Sequence, residues 1–295
     1  MTNIQSPTAV SRKLNILLAE DNLVNRVLAQ KLLQKFGHSV TLANNGKEGA
    51  SLWESHQANQ FDVILMDIQM PLMDGLQATA YIRAKEAEQS LDPNSSPEGL
   101  APVHIPIVAM TAHAMKGDRE RYLAGGMDGY VSKPVNSAEL EKVIQSVVDQ
   151  FPSRARSLAG AAGTMSGAPN PDLSEGSASG TEEAEILARF DGDIELVREL
   201  AGIFIDECPN YLAAIREAVL SANPKALEHS AHTLKGSLGN FSTKDAHAFA
   251  LQLETLGRSG SVDGAAEILQ KLEEQLEGFN RILAGMAKET VHRSQ

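Results

Sequence analysis

Five side chains able to do ionic or hydroxyl chemistry stand at the ends of short apolar runs in the first half of the chain. In FDVILMDIQMPLMDG (61–75), the run 63–66 closes on Asp67, and Pro71 and Gly75 follow. This predicts a buried strand with a carboxylate at its C-terminal edge and a turn beyond it. The run LNILLA (14–19) ends in the same way, on Glu20 and Asp21. HIPIVAM is followed by Thr111, and DGYVS by Lys133 and Pro134. In open α/β sheets ligands bind outside the carboxyl ends of the strands, so all five are expected at one edge. Three carboxylates there repel one another and call for a hard divalent cation such as Mg2+. Asp67 is the candidate nucleophile or metal ligand. Asp21 is the candidate direct ligand, with Glu20 acting through water. With an ammonium and a hydroxyl added, the set matches what phosphoryl transfer needs. Metal and lysine neutralise charge on the phosphoryl oxygens, while hydroxyl and backbone N–H groups hydrogen-bond them. The carboxylate attacks in line and becomes an acyl phosphate. Alone, a strand-end aspartate is ordinarily a cap and a Lys-Pro a surface turn; the combination points elsewhere.

The elements that must position these groups alternate. Strands are predicted at 14–19, 39–42, 61–66, 105–109 and 128–131, and helices at 24–36, 46–57, 75–88, 115–124 and 136–150. Five βα units imply a doubly wound parallel sheet, expected in the strand order 2-1-3-4-5. The stretch 88–104, rich in Pro, Ser and Gly, reads as a surface loop. Residues 152–180 are dominated by small residues without periodicity and read as a flexible tether. From 181 onward the pattern is helical, with helices predicted at 182–189, 193–220, 224–240, 244–258 and 263–288. Long amphipathic helices with short turns suggest an antiparallel four-helix bundle with one short extra helix. The expected organisation is a flexible N-terminus (1–12), an α/β domain (13–150), a linker (151–180) and an all-α domain (181–290).

A second candidate lies in LEHSAHTLKGSLGNF (227–241). Leu227, Ala231, Leu234, Leu238 and Phe241 recur at helical spacing and are expected to face the bundle core. His232 lies off that stripe, and Lys235 and Gly236 are its i+3 and i+4 neighbours, so the three are expected on one exposed face. A glycine inside a helix costs about 1 kcal/mol relative to alanine, which suggests that something approaches His232 closely. Lys235 could then neutralise phosphoryl oxygens carried by the imidazole.

Composition narrows the function classes. A formal net charge of -12 argues against non-specific binding to DNA or anionic membranes. The single cysteine, Cys208, excludes an internal disulfide framework and fits a reducing cytosol. It reads as a small helix-core residue. No apolar run approaches the ~18 residues of a membrane span, and the N-terminus lacks a signal-peptide core.

Glu20-Asp21, Asp67 with its MPLMDG tail, Thr111-Ala112 and Lys133-Pro134 together resemble the receiver domains of two-component response regulators, over about 14–150. The resemblance implies Asp67 as phosphoacceptor, with Asp21, Asp67 and the main-chain carbonyl of Gln69 as Mg2+ ligands and Glu20 in the outer sphere. It implies Thr111 as the switch hydroxyl and Tyr130 as an aromatic that turns inward on phosphorylation. Glu20 departs from the more frequent aspartate, and the 88–104 loop is longer than usual. HTLKGS, with the later LETLGRSG, resembles histidine-containing phosphotransfer (HPt) domains over about 181–290. That implies His232 as a second phosphoacceptor supported by Lys235 and Gly236, with Gln252 or Glu254 holding the other ring nitrogen; His229 reads as an uninvolved neighbour.

Receiver, tether and phosphotransfer bundle together resemble the C-terminal end of a hybrid sensor kinase. The implied partners are an upstream histidine kinase domain and a downstream receiver domain, with no direct nucleic-acid contact. No kinase dimerisation helix, ATP-lid glycine box or P-loop is found in the sequence, so phosphotransfer is expected without ATP-driven autophosphorylation. The chain is expected in the cytoplasm, either alone or as the cytosolic part of a membrane kinase. Two rivals are a scaffold whose receiver only docks partners and a Mg2+-dependent aspartyl-phosphate phosphohydrolase. Gln69, where such a hydrolase wants a second acid, argues against the latter, and the complete acidic, Thr and Lys set argues against the former.

Overall fold

Runs such as VILMD and IVAMT, apolar on both faces, can be buried only inside a sheet covered on each side. The computed structural model describes residues 12–55, 60–91, 104–112, 116–151, 182–241 and 243–288. The predicted N-terminal lead-in, most of the 88–104 loop and the linker lie outside them. The chain divides into two compact units, Met1–Phe151 and Pro152–Gln295.

The first unit alternates β1 (Asn15–Ala19), α1 (Leu23–Lys35), β2 (Ser39–Ala43), α2 (Gly46–Ser55), β3 (Val63–Asp67), α3 (Gly75–Leu91), β4 (Ile107–Thr111), α4 (Lys116–Ala124), β5 (Gly129–Ser132) and α5 (Ser137–Gln150). The five strands form one parallel sheet in the expected order β2-β1-β3-β4-β5. Every residue of β3 and β4 is buried, whereas β2 and β5, at the edges, are only partly covered. Several boundaries move by one to three residues from their predicted places, and two of the shifts bear on the site. β3 extends to include Asp67 and β4 to include Thr111, because both side chains stay under cover at the sheet's edge. Helix α3 runs on to Leu91, past the predicted start of the loop, since AKEAEQSL holds no helix breaker. Asparagines set two of the helix starts: Asn22 caps α1 by accepting from Asn25 N, and Asn136 caps α5 by accepting from Glu139 N.

The second unit contains α6 (Glu182–Arg189), α7 (Ile194–Leu220), α8 (Pro224–Gly239), α9 (Lys244–Arg258) and α10 (Ala265–Lys288). Helix α7 packs on α8, α8 on α9, α9 on α10 and α10 on α7, closing a four-helix bundle with α6 against α7. The expected stripe of α8 is in the core: Leu227, Ala231, Leu234 and Leu238 are fully buried, with Phe241 just beyond the helix. Phe204, Phe241 and Phe279 meet edge-to-face or tilted, with ring centroids 5.5 to 5.9 Å apart. Among the described residues, no helix is long and apolar enough to cross a membrane.

Helices α8 and α9 approach most closely at Gly257. A Cβ there would lie 2.4 Å from Glu228 N and 2.6 Å from the Pro224 carbonyl oxygen. Both are backbone atoms, so the helices themselves would have to separate. Gly257→Ala is therefore expected to destabilise the bundle by about 1–3 kcal/mol, despite alanine's better helix propensity. Urea titration followed by helical circular dichroism checks this. The fluorescence transition of Trp53, the sole tryptophan and buried in the first unit, should not move.

Candidate functional site

Strand register assembles the first cluster. Ala19 pairs with Met66, so Glu20 follows β1 beside Asp67 at the end of β3. Asp67 pairs with Met110 and Thr111 with Ser132, which brings Thr111 and Lys133 to the same edge. The Lys133 amide donates to the Thr111 carbonyl at 2.7 Å, and the Lys133–Pro134 peptide is cis. Gly75 closes the far side of the loop: a Cβ there would fall 2.1 Å from the Asp67 carbonyl oxygen, so only glycine lets α3 begin so close to β3.

The predicted carboxylates meet. Oxygens of Glu20, Asp21 and Asp67 all lie within 4.8 Å of one another; Glu20 and Asp67 are buried and Asp21 half-buried. The Lys133 ammonium, on a side chain only 9% exposed, bridges Asp67 Oδ2 at 2.8 Å and Glu20 Oε2 at 2.7 Å. Burial weakens its charge, but Asp67 and Glu20 more than offset this and hold its pKa above the ordinary lysine value. Burial, reinforced by the Asp67 charge, pushes Glu20 from 4.5 up to about 8 despite Lys133. The donor set is all oxygen and carries net negative charge, which is the chemistry a hard divalent cation takes. The Gln69 amide, on the loop after β3, donates to Asp67 Oδ1 at 3.3 Å. Tyr130 is half-buried, its ring 5.8 Å from the Arg119 guanidinium.

Two partners here were not foreseen. Asn25 donates to Glu20 Oε1 at 3.2 Å, and Thr111 Oγ1 lies 2.9 Å from the hydroxyl of Tyr122 on α4. The capping pattern after Asp21 could have flagged Asn25. Nothing in the sequence ties Tyr122 to Thr111.

The second cluster corrects an expectation. His232 and Lys235 do not share an exposed face: they are 7% and 4% exposed. Close approach at Gly257 brings α9 over the side of α8 that the apolar stripe leaves out. It also decides between the two polar candidates, since Gln252 is exposed and Glu254 fully buried. Glu254 Oε1 lies 2.9 Å from His232 Nδ1, and Lys235 Nζ donates to Glu254 Oε2 at 2.5 Å. Arg258, one turn on from Glu254 and not singled out from the sequence, donates to the same Oε1 at 2.6 Å and to Glu228 at 3.0 Å. Its i+4 spacing from Glu254 was the available signal. Burial opposes the Glu254 charge, but the hydrogen bonds from His232 and Lys235 prevail and bring its pKa from 4.5 down to about 2. An ionised carboxylate only accepts, so the His232 Nδ1 carries a proton and the Nε2 of the neutral ring is left as the nucleophilic nitrogen.

The family model described as a response regulator receiver domain matches residues 16–145, and the Hpt domain model matches 199–281. A hybrid signal transduction histidine kinase I from Dictyostelium discoideum is 41% identical over 144 residues, covering 48% of this chain and 8% of that protein. The sensor protein GacS of Pseudomonas syringae pv. syringae is 40% identical over 138 residues, covering 47% of this chain and 14% of that protein. The chain thus spans a small part of the length of these relatives. Among solved structures it resembles the receiver domain of a sensor histidine kinase from Pseudomonas aeruginosa PAO1, with a magnesium ion coordinated in its active-site cleft. That likeness is 36% identical with a TM-score of 0.37 and covers 47% of this chain and 99% of that one.

Because its folded pKa is depressed, Glu254 contributes stability that is complete above about pH 4.5 and is lost as pH falls through about 2. Glu254→Gln lacks this titration. Urea titrations of the bundle between those limits should show the wild type losing stability more steeply than the variant; parallel slopes would contradict the assignment.

Proposed function

Since the chain joins a response regulator receiver domain to an Hpt domain, we propose that it relays phosphoryl groups between Asp67 and His232 on one side and partner proteins on the other. The observation that carries this reading is the convergence of Asp67, Glu20, Asp21 and Lys133 at one sheet edge. Asp21 and Asp67 would hold Mg2+ directly with the Gln69 carbonyl, and Glu20 through water. When bound, the ion neutralises charge on the phosphoryl oxygens. The residues of the chain do the rest. An Asp67 carboxylate oxygen attacks the phosphorus of a phosphohistidine on an upstream kinase domain. The O–P bond forms as the P–N bond breaks, and the donor imidazole leaves with the electron pair. Lys133, already on Asp67 Oδ2, meets the incoming oxygens with its positive charge, and the Thr111 hydroxyl donates to one of them.

At His232 the reaction runs from aspartyl phosphate to nitrogen. Nε2 attacks phosphorus, the acyl O–P bond breaks and the aspartate regains its carboxylate. The ring keeps its Nδ1 proton and so becomes positively charged. Glu254, 2.9 Å from that nitrogen, stabilises the cation as it forms. The phosphoryl group then passes to the aspartate of a downstream receiver. Both steps transfer an existing phosphoryl group, so neither consumes ATP. In this reading the chain is a carrier rather than a turnover enzyme.

Intact-mass spectrometry after incubation with Mg2+ and acetyl phosphate tests this. The expected result is an alkali-labile adduct that Asp67→Asn and removal of Mg2+ with EDTA both abolish. An alkali-stable adduct should appear only where His232 is present and vanish in His232→Gln. No adduct on folded wild-type protein would reject the relay.

A further inference from the structure

The hydroxyls of Thr111 and Tyr122 lie 2.9 Å apart, and both side chains are buried. Tyr122 belongs to α4, whereas Thr111 ends β4. The relay chemistry above does not call on Tyr122, and the aromatic that the receiver resemblance singles out is Tyr130. A proton count orients the hydroxyl pair. A phenol has one proton, is a stronger acid than an alcohol and needs an acceptor when buried. Among the described residues Thr111 Oγ1 is an acceptor within reach at 2.9 Å, which favours Tyr122 as the donor and Thr111 as the acceptor. The threonine proton is then directed away from the phenol, toward a further acceptor. Phosphoryl oxygens on Asp67 can only accept. A donor that itself accepts a hydrogen bond is polarised and strengthened.

We propose that Tyr122 is a positioning residue for phosphoryl transfer at Asp67. By donating to Thr111 Oγ1, it fixes the threonine hydroxyl as a directed donor to a phosphoryl oxygen. This rests on the reading of Asp67 as phosphoacceptor. In the step assisted, an Asp67 oxygen attacks phosphorus as the donor's own bond to phosphorus breaks, and the donor leaves with that electron pair. Thr111 and Tyr122 keep their protons throughout. The same bond ties the hydroxyl at the sheet edge to α4, so a change at Asp67 is felt by that helix through a defined contact.

The test uses the full chain carrying His232→Gln, so that label rests only on the receiver, with Mg2+ and acetyl phosphate as donor. Tyr122→Phe removes the hydroxyl and keeps the ring. Its maximal labelling rate should fall about three- to tenfold, the worth of one buried hydrogen bond. Half-saturation in acetyl phosphate should stay unchanged, because no contact to the donor is lost. In a Thr111→Ala background, Tyr122→Phe should cost nothing further; with Thr111→Ser, which keeps a hydroxyl, the loss should return. A rate unchanged or raised by Tyr122→Phe would overturn the proposal, as would losses that multiply in the Thr111→Ala double variant. The Trp53 fluorescence transition shows whether each variant is folded; a cost that tracks lost stability across the series would also overturn it. Absence of label in the parent would instead reject Asp67 as the acceptor, and this inference with it.

Discussion

The ion pair between Lys133 and the carboxylates of Asp67 and Glu20 is the interaction on which the first unit's edge depends. Removing one partner of such a buried set leaves an uncompensated charge, which is far costlier than the pair is stabilising. Register follows from it: β1, β3 and β5 must end level for Glu20, Asp67 and Lys133 to meet. Gly75 follows too, because α3 must start against the Asp67 carbonyl to close the loop beneath the carboxylate. Even so, Lys133 does not balance the cluster. Glu20 is held up at about 8 first by burial and then by the Asp67 charge. An all-oxygen cluster with more carboxylates than cations is suited to a further positive charge.

The second unit meets its buried carboxylate with cations of its own. Glu254 is as deeply buried as Asp67, and it too has a lysine on one oxygen. Its other oxygen is shared by His232 and Arg258, and Arg258 also pairs with Glu228, so two carboxylates face two cations and an imidazole. The cluster is thus paired within the unit, where the sheet-edge cluster keeps more carboxylates than its one lysine.

Much of this was legible in the residues. β1, β3 and β4 are apolar runs of strand length between turn residues, and parallel topology sends all their C-terminal ends to one edge. Asp67, Glu20, Asp21, Thr111 and Lys133 could thus be gathered before any coordinate was known. The bundle's stripe on α8 was equally plain from spacing. What failed was the inference that a residue off the stripe is exposed. A helix wheel assumes a single buried face, whereas α8 is covered on two, because Gly257 admits α9 to backbone contact with Glu228 and Pro224. His232 and Lys235 are buried by a neighbour whose approach is set by an absent side chain, and such absences carry little sequence signal. Tyr122 escaped for a related reason: its partner is fixed by how α4 lies on the sheet, not by any local pattern.

The burial of His232 changes how its reactivity should be understood. An exposed imidazole would choose its tautomer by solvent and would hold its ring only loosely. Here the ring is clamped through Nδ1, and a carboxylate driven to about 2 does not take the Nδ1 proton near neutrality. In the proposed relay the Nδ1 proton would stay on the Glu254 carboxylate's side of the ring, leaving Nε2 to take the phosphoryl group. In that proposal only Nε2 would change its bonding, and the ring's positive charge would be met by Glu254 at Nδ1 without rearrangement. Lys235, together with His232, keeps that carboxylate ionised, so it acts on the imidazole through Glu254. In the proposed relay, orientation of the nucleophile and stabilisation of the product would both draw on one buried carboxylate, which the close approach of α9 at Gly257 brings within reach.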